Sequence, residues 1–171
     1  MLEKQKKCHI HITEKQMIIS PDNFIYNAEG LYEWTPERAK SSWNKAYSIL
    51  RKAIRSEKYN KVIMMGGIPA SGKTTYLNEV GRDPKAIYFD ATFTNKWGRG
   101  MMLELINEEN PDMWVEIIFL DTPKNVCLMR NEERTPDRKI PTEAYDRMCG
   151  ALEKEGFPTK AEGFDKVTIV R

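Results

Sequence analysis

Gly67-Ile68-Pro69-Ala70-Ser71-Gly72-Lys73-Thr74-Thr75 constrains the chain more than any other stretch. Its first eight residues match Gly-x4-Gly-Lys-Ser/Thr, the pattern of a loop that wraps phosphate. Glycines let successive backbone N–H groups curl around an anion, and a helix starting near Lys73 turns its positive dipole end to the same spot. In such a loop Lys73 reaches the β- and γ-phosphates of a nucleotide and Thr74 offers its hydroxyl to Mg²⁺. An apolar strand must precede the loop and a helix must follow it. Val62–Met65 and the residues from Lys73 onward supply both, whereas an ordinary glycine turn would need neither. The expectation is a nucleotide site built by residues 67–75.

The remaining periodicity agrees. Met17–Ser20, Val62–Met65, Ala86–Phe89, Val115–Leu120 and Val167–Val170 read as strands. Helices are expected from Lys73, over Trp97–Glu108, after Pro123 and over Thr142–Lys154. Another helix should open at Thr35-Pro36-Glu37-Arg38, with threonine as N-cap, proline at the first helical position and an acid in the first turn. Alternating strands and helices predict a three-layer α/β sandwich on a mostly parallel sheet of about five strands. At 171 residues one domain, 1–171, is expected. Cys8–Thr13 alternates as an edge strand would, and His9 and His11 on it read as exposed residues rather than metal ligands. No apolar run approaches the roughly 18 residues of a membrane span. Cys8, Cys127 and Cys149 are odd in number and widely spaced, which fits a reducing cytoplasm rather than a disulfide framework.

Three features beyond the loop refine the chemistry. Asp90 ends the strand after the loop's helix, and carboxylates at the C-terminal edge of a parallel strand lie where such sheets bind ligands. It can serve Mg²⁺ through water. Arg130, Arg134 and Arg138 recur every four residues, so the first two should share a helix face and form a lid over transferring phosphates. The competing reading is a salt-bridged surface with Glu132, Glu133 and Asp137. No Asn-Lys-x-Asp guanine-reading motif occurs, which favours ATP. Residues 36–61 carry eight basic side chains against Glu37 and Glu57, although the whole chain is only +2. A stripe of that kind can attract a polyanion, and equally can be plain solvated helix surface.

From Val62 onward the chain resembles the polynucleotide-kinase-like family of P-loop kinases, which includes phage polynucleotide kinase and tRNA-repair kinases. The matching pieces are 67–75, Asp90-Ala91-Thr92, Phe119-Leu120-Asp121-Thr122-Pro123, Arg130-Asn131-Glu132-Glu133-Arg134, Ile140-Pro141 and Glu162–Val167. The resemblance implies that Arg130 and Arg134 are lid arginines. Family members carry an Ile-Ser-x-Asp segment after the P-loop helix, and its aspartate takes the proton from the attacking hydroxyl. The short stretch between Leu77 and Ala86 has no room for it. A matching segment stands before the loop instead: Ile18-Ile19-Ser20-Pro21-Asp22, then Gly30–Arg38. The resemblance thus implies a transposed order, with the acceptor-binding strand first, its place in the sheet kept at the edge beyond the Asp90 strand, and Asp22 as the base. Asp90 is the alternative base, and a turn residue is the alternative role for Asp22. Where the phage enzyme has an arginine three residues after the base, this chain has Ile25.

The expected activity is transfer of the γ-phosphoryl group of ATP to a hydroxyl of a nucleic acid, either a DNA or RNA 5′ end or a hydroxymethylated base. The expected site comprises Asp22, Lys73, Arg130 and Arg134 as catalytic residues. Residues 67–75 with Arg134 and Arg138 are expected to hold ATP, and Thr74 with Asp90 to hold Mg²⁺. A kinase for a nucleoside, sugar or antibiotic and a slow ATP-binding switch module are the alternatives.

Overall fold

Five short segments of this chain can be covered by apolar partners on both sides, and they pair with one another. The computed structural model describes residues 17–80 and 82–171. Its strands are β1 (Met17–Ile19), β2 (Lys61–Gly66), β3 (Ala86–Asp90), β4 (Trp114–Leu120) and β5 (Lys166–Val170), in the spatial order β1-β3-β2-β4-β5. Every pairing is parallel. The helices are α1 (Pro36–Arg55), α2 (Lys73–Val80), α3 (Lys96–Glu109), α4 (Lys124–Glu132) and α5 (Thr142–Glu155). The expected Cys8–Thr13 strand, with His9 and His11, lies outside the described residues.

Side chains along β2 alternate between two cores. Val62 and Met64 join Ile87, Phe89 and Ile117 under Leu50 and Ile54 of α1 and Met102 and Ile106 of α3. Ile63 and Met65 face the other way, with Tyr88 and Leu120, onto Leu77 of α2. The sheet is therefore the middle of three layers. Each fully buried aliphatic side chain, such as Leu50 or Ile117, contributes roughly 1.5–3 kcal/mol. A smaller core of Ile68, Cys127 and Tyr145 packs α4 and α5 beside the loop after β2.

β1 is only three residues long and sits at the edge beyond β3, with Ile19 opposite Phe89. That is the position the transposed reading gives it. Its ladder to β3 holds it there, and α1 packs across Phe89 of that neighbouring strand. Thr35 caps that helix by accepting from the Arg38 N–H at 3.2 Å, Pro36 occupies the first turn, and Trp43 and Tyr47 stack on Phe89 with ring centroids 5.9 and 6.2 Å away. Half of the basic side chains of residues 36–61 are paired, contrary to the simple charge count. Arg51 and Arg55 both pair with Glu109, Arg38 pairs with Glu33 at 3.3 Å, and Lys61 pairs with Asp83 at 2.8 Å. The stripe looks more basic in the sequence than it is in space, because its counter-ions come from elsewhere in the chain.

Arg134 also departs from expectation. α4 stops at Glu132, and Arg134 lies in the turn beyond it, its N–H donating to the Asn131 carbonyl at 3.2 Å. Proline at 136 disfavours helical geometry at Thr135, so the four-residue spacing cannot continue as helix. Arg138 belongs to a separate 3₁₀ turn, Pro136–Arg138.

Candidate active site

The loop after β2 reverses the chain so tightly that only particular residues fit. Gly67 has φ +134°, and a β-carbon there would lie 2.6 Å from Ser71 Oγ and 2.9 Å from the Leu120 carbonyl oxygen. Ala70 and Gly72 also have positive φ, +61° and +97°. The turn is pinned from outside: Gly67 N–H donates to the Thr92 carbonyl at 2.9 Å, and Thr122 Oγ1 donates to the Ser71 carbonyl at 2.8 Å. The first bond of α2 runs from Tyr76 N–H to the Gly72 carbonyl at 2.9 Å. Ahead of it, the N–H groups of Gly72, Lys73, Thr74 and Thr75 find no carbonyl among the described residues. Four clustered donors at a helix start, over a turn that side chains cannot fill, form an anion cradle. Ser71 Oγ, buried and without a hydrogen-bond partner among the described residues, adds a further polar group within the loop.

Lys73 folds back across this cradle. Its ammonium donates to the Gly67 carbonyl at 3.1 Å and lies 3.9 Å from Asp90 Oδ1. Burial pulls its pKa down, against the charges of Asp90 and Asp22. Asp90, at the last position of β3, has its carboxyl pushed up by burial, with Lys73 opposing and Asp22 adding. Asp22 stands in the 3₁₀ turn Pro21–Phe24 directly after β1, at the same end of the sheet. Water reaches its side chain, yet the crowded cleft still raises its carboxyl above the usual range, opposed by Lys73, Arg134 and Arg138. The structure thus gathers Asp22, Lys73 and Asp90 at the C-terminal ends of adjacent strands, where parallel sheets bind ligands.

The three arginines divide along the cleft. Arg130 donates to the Ala70 carbonyl at 3.1 Å and so lies on the loop after β2. Arg134 is near enough to Lys73 and Asp22 to affect the charge of both. Arg138 lies farther out, its guanidinium 5.5 Å from the centre of the Tyr26 ring and 5.8 Å from that of Tyr32, and it donates to the Tyr26 hydroxyl. Tyr26 and Tyr32 form an antiparallel bridge with their rings edge to face at 6.0 Å. The turn between them closes through Asn27, which bonds Gly30 and Leu31. Tyr32 has its phenol pushed up to about 12 by burial and by the charge of Asp22. Sequence reasoning missed this tyrosine pair; the Asn-x-x-Gly turn between two aromatics was its signal.

A second missed residue is Arg99, fully buried within α3. It forks onto Glu162 at 2.6 and 3.1 Å and donates to the carbonyls of Phe93 at 3.0 Å and Gly156 at 3.3 Å. Phe93 has φ +49°, so Arg99 holds a strained turn just past Asp90-Ala91-Thr92.

Among the described residues no cluster of three His, Cys, Asp or Glu could bind a metal unaided. The exposed Thr74 hydroxyl with Asp90 nearby fits Mg²⁺ of the kind that takes only one or two protein ligands and completes its shell with phosphates and water. A concavity lined by Leu103, Asn107, Met113, Trp114 and Asp165 lies around the start of β4, at the opposite end of the sheet from Lys73. Among the described residues no helix is long and apolar enough to cross a membrane. No family model matches the chain, and no curated protein matches its sequence.

Proposed function

We propose that the chain is an ATP-dependent phosphotransferase of the P-loop kinase type, transferring the γ-phosphoryl group to a hydroxyl of a nucleic acid. One observation carries this reading: a phosphate cradle and a second, acceptor-side carboxylate, Asp22, face the same lysine from different strands. A binding module needs the cradle alone. A transferase also needs a group to take the acceptor's proton, within hydrogen-bond reach of it. The sheet order supports a polynucleotide-kinase-like arrangement in which the base-bearing strand keeps its edge position although it comes first in the chain.

In this mechanism the N–H groups of residues 72–75 hold the phosphates and Lys73 leaves its loop carbonyls for the β- and γ-oxygens. The acceptor oxygen attacks phosphorus in line, its proton passes to a carboxylate oxygen of Asp22, and the P–O bond to the β-phosphate breaks to release ADP. Arg130 and Arg134 neutralise charge on the transferring group, an effect of the lid-arginine type. Mg²⁺, held by Thr74 and Asp90, would supply further neutralisation of the β- and γ-phosphates. The test is transfer of label from γ-labelled ATP to a panel of DNA, RNA, hydroxymethylated DNA and nucleosides. Label on a polynucleotide, lost in Lys73→Ala, bears the proposal out. Label on nucleosides alone makes this a small-molecule kinase, and label on nothing makes it a switch module.

A further inference from the structure

Asn131 is buried at the end of α4, and its amide bonds one residue twice. Nδ2 donates to the Ile140 carbonyl at 2.9 Å, and Oδ1 accepts from the Ile140 N–H at 3.1 Å. Residues 132–139 therefore leave and rejoin the body of the protein through one two-bond neck. Arg134 is anchored to the same neck by its backbone, through the Asn131 carbonyl. Its side chain is not: among the described residues the Arg134 guanidinium makes no hydrogen bond and no ion pair. Ile140, the other half of the neck, belongs to the small core where Tyr145 and Cys127 pack with Ile68 and Ala70 of the loop after β2. Tyr145 is 0% exposed, yet its hydroxyl has no hydrogen-bond partner among the described residues. A hydroxyl buried in that way costs free energy that a phenylalanine ring would not. Its surroundings point to the missing partner. Burial raises the phenol's pKa and the charge of Arg134 opposes it, with Cys127 also in range. The Cys127 thiol is turned to the Thr122 carbonyl, 3.7 Å away, which leaves Arg134.

We infer that Tyr145 is a positioning residue for Arg134: its hydroxyl oxygen accepts one guanidinium N–H when that side chain turns onto the γ-phosphate, and so aims the remaining donors at the transferring group. A guanidinium carries five N–H groups in a fixed fork, enough to serve a phosphate and a phenol oxygen together. The neck at Asn131 and Ile140 holds the backbone still, so only the Arg134 side chain has to move. A diphosphate has no γ-phosphate to draw the arginine inward, and the hydroxyl stays unbonded. The cost of burying it is recovered only with a triphosphate, which makes Tyr145 part of how the site tells ATP from ADP. This rests on the reading of Arg134 as an arginine that meets the transferring phosphate, and it adds to that reading what orients the guanidinium.

The test is a double-mutant cycle in equilibrium binding, which does not depend on turnover. ADP and a non-hydrolysable ATP analogue, each with Mg²⁺, are titrated into the full chain as wild type, Tyr145→Phe, Arg134→Ala and the double variant. The quantity read is the preference for the triphosphate over ADP. Tyr145→Phe should lower that preference about tenfold or more, the loss expected for a hydrogen bond from a charged group. ADP affinity itself should change less than about twofold, because the diphosphate state lacks the bond. In the Arg134→Ala background Tyr145→Phe should cost nothing further, as for two groups acting as one unit. Without nucleotide, Tyr145→Phe should melt no lower than wild type, since the hydroxyl it removes bonds nothing there. In transfer it should lower kcat and leave the acceptor KM unchanged. An unchanged triphosphate preference would overturn the inference, as would a wild type that has none. An equal loss in the Arg134→Ala background would also overturn it, because the hydroxyl would then act without the arginine. So would an early melt of Tyr145→Phe without nucleotide, which would mean that a buried water already satisfies the hydroxyl. A coupled loss of preference with no label reaching any acceptor would leave the Tyr145–Arg134 contact standing and remove the phosphotransferase reading. Label transferred by Tyr145→Phe at the wild-type rate would do the reverse.

Discussion

Asp22 holds a carboxylate in a cleft where burial opposes its charge and three cations restore part of it. The sign of that balance makes a prediction. A raised pKa keeps the group protonated to higher pH than its ordinary 3.8, so a base at this position fails as pH falls through the raised value. The rate of transfer should show an acid limb above the usual carboxylate range, and Asp22→Asn should lose the limb together with about 10²–10⁴ in rate. Stability runs the other way. The neutral form is the one folding favours, so Asp22→Asn should melt no lower than wild type at neutral pH, readable by calorimetry. A drop in both rate and melting temperature would make Asp22 a structural turn residue. Arg134 is tested separately: Arg134→Ala should cost on the order of 10³ in rate, with partial recovery in Arg134→Lys, measured as single-turnover transfer.

Among the elements, those with local signals were legible and those set by distant partners were not. Thr35-Pro36-Glu37 announced α1 because capping is decided within four residues, and the glycine spacing announced the loop after β2 because its backbone angles demand it. The phase of Arg134 was misread, since a repeat of four looks helical until Pro136 is weighed. Tyr26 against Tyr32 and Arg138 could not be read, as one contact spans 112 residues of sequence. Arg99 was invisible for a related reason: a lone arginine in a helical pattern reads as surface, and only Glu162, on a 3₁₀ turn before β5, lets it be buried. Breaking a buried pair on one side leaves an unpaired charge and costs about 3–5 kcal/mol. Arg99→Met should therefore destabilise by roughly that amount in denaturant unfolding. It should also weaken nucleotide binding, because Phe93 follows the Thr92 carbonyl that pins Gly67.

At the scale of the whole molecule, the internal pairing of the basic stripe sets how salt acts on nucleic-acid binding. If all six net charges of residues 36–61 met phosphates, the slope of log affinity against log salt would be about −4 for a single strand. With Arg38, Arg51, Arg55 and Lys61 already paired, at most Lys40, Lys45, Lys52 and Lys58 of that segment are left to meet phosphates, and a slope no steeper than about −3 is expected, from titrations across a salt series. The strand order has a consequence of another kind. β3 is the only strand that β1 pairs with among the described residues, so as the chain leaves the ribosome β1 must wait until residue 90 has been made before it can dock. The segment bearing Asp22 is born first and seated late. A nascent chain halted before Asp90 would hold α1 with its apolar stripe uncovered and no cleft at all, a state suited to capture by chaperones, and the two halves of the site would come into being together only when β3 closes the gap between them.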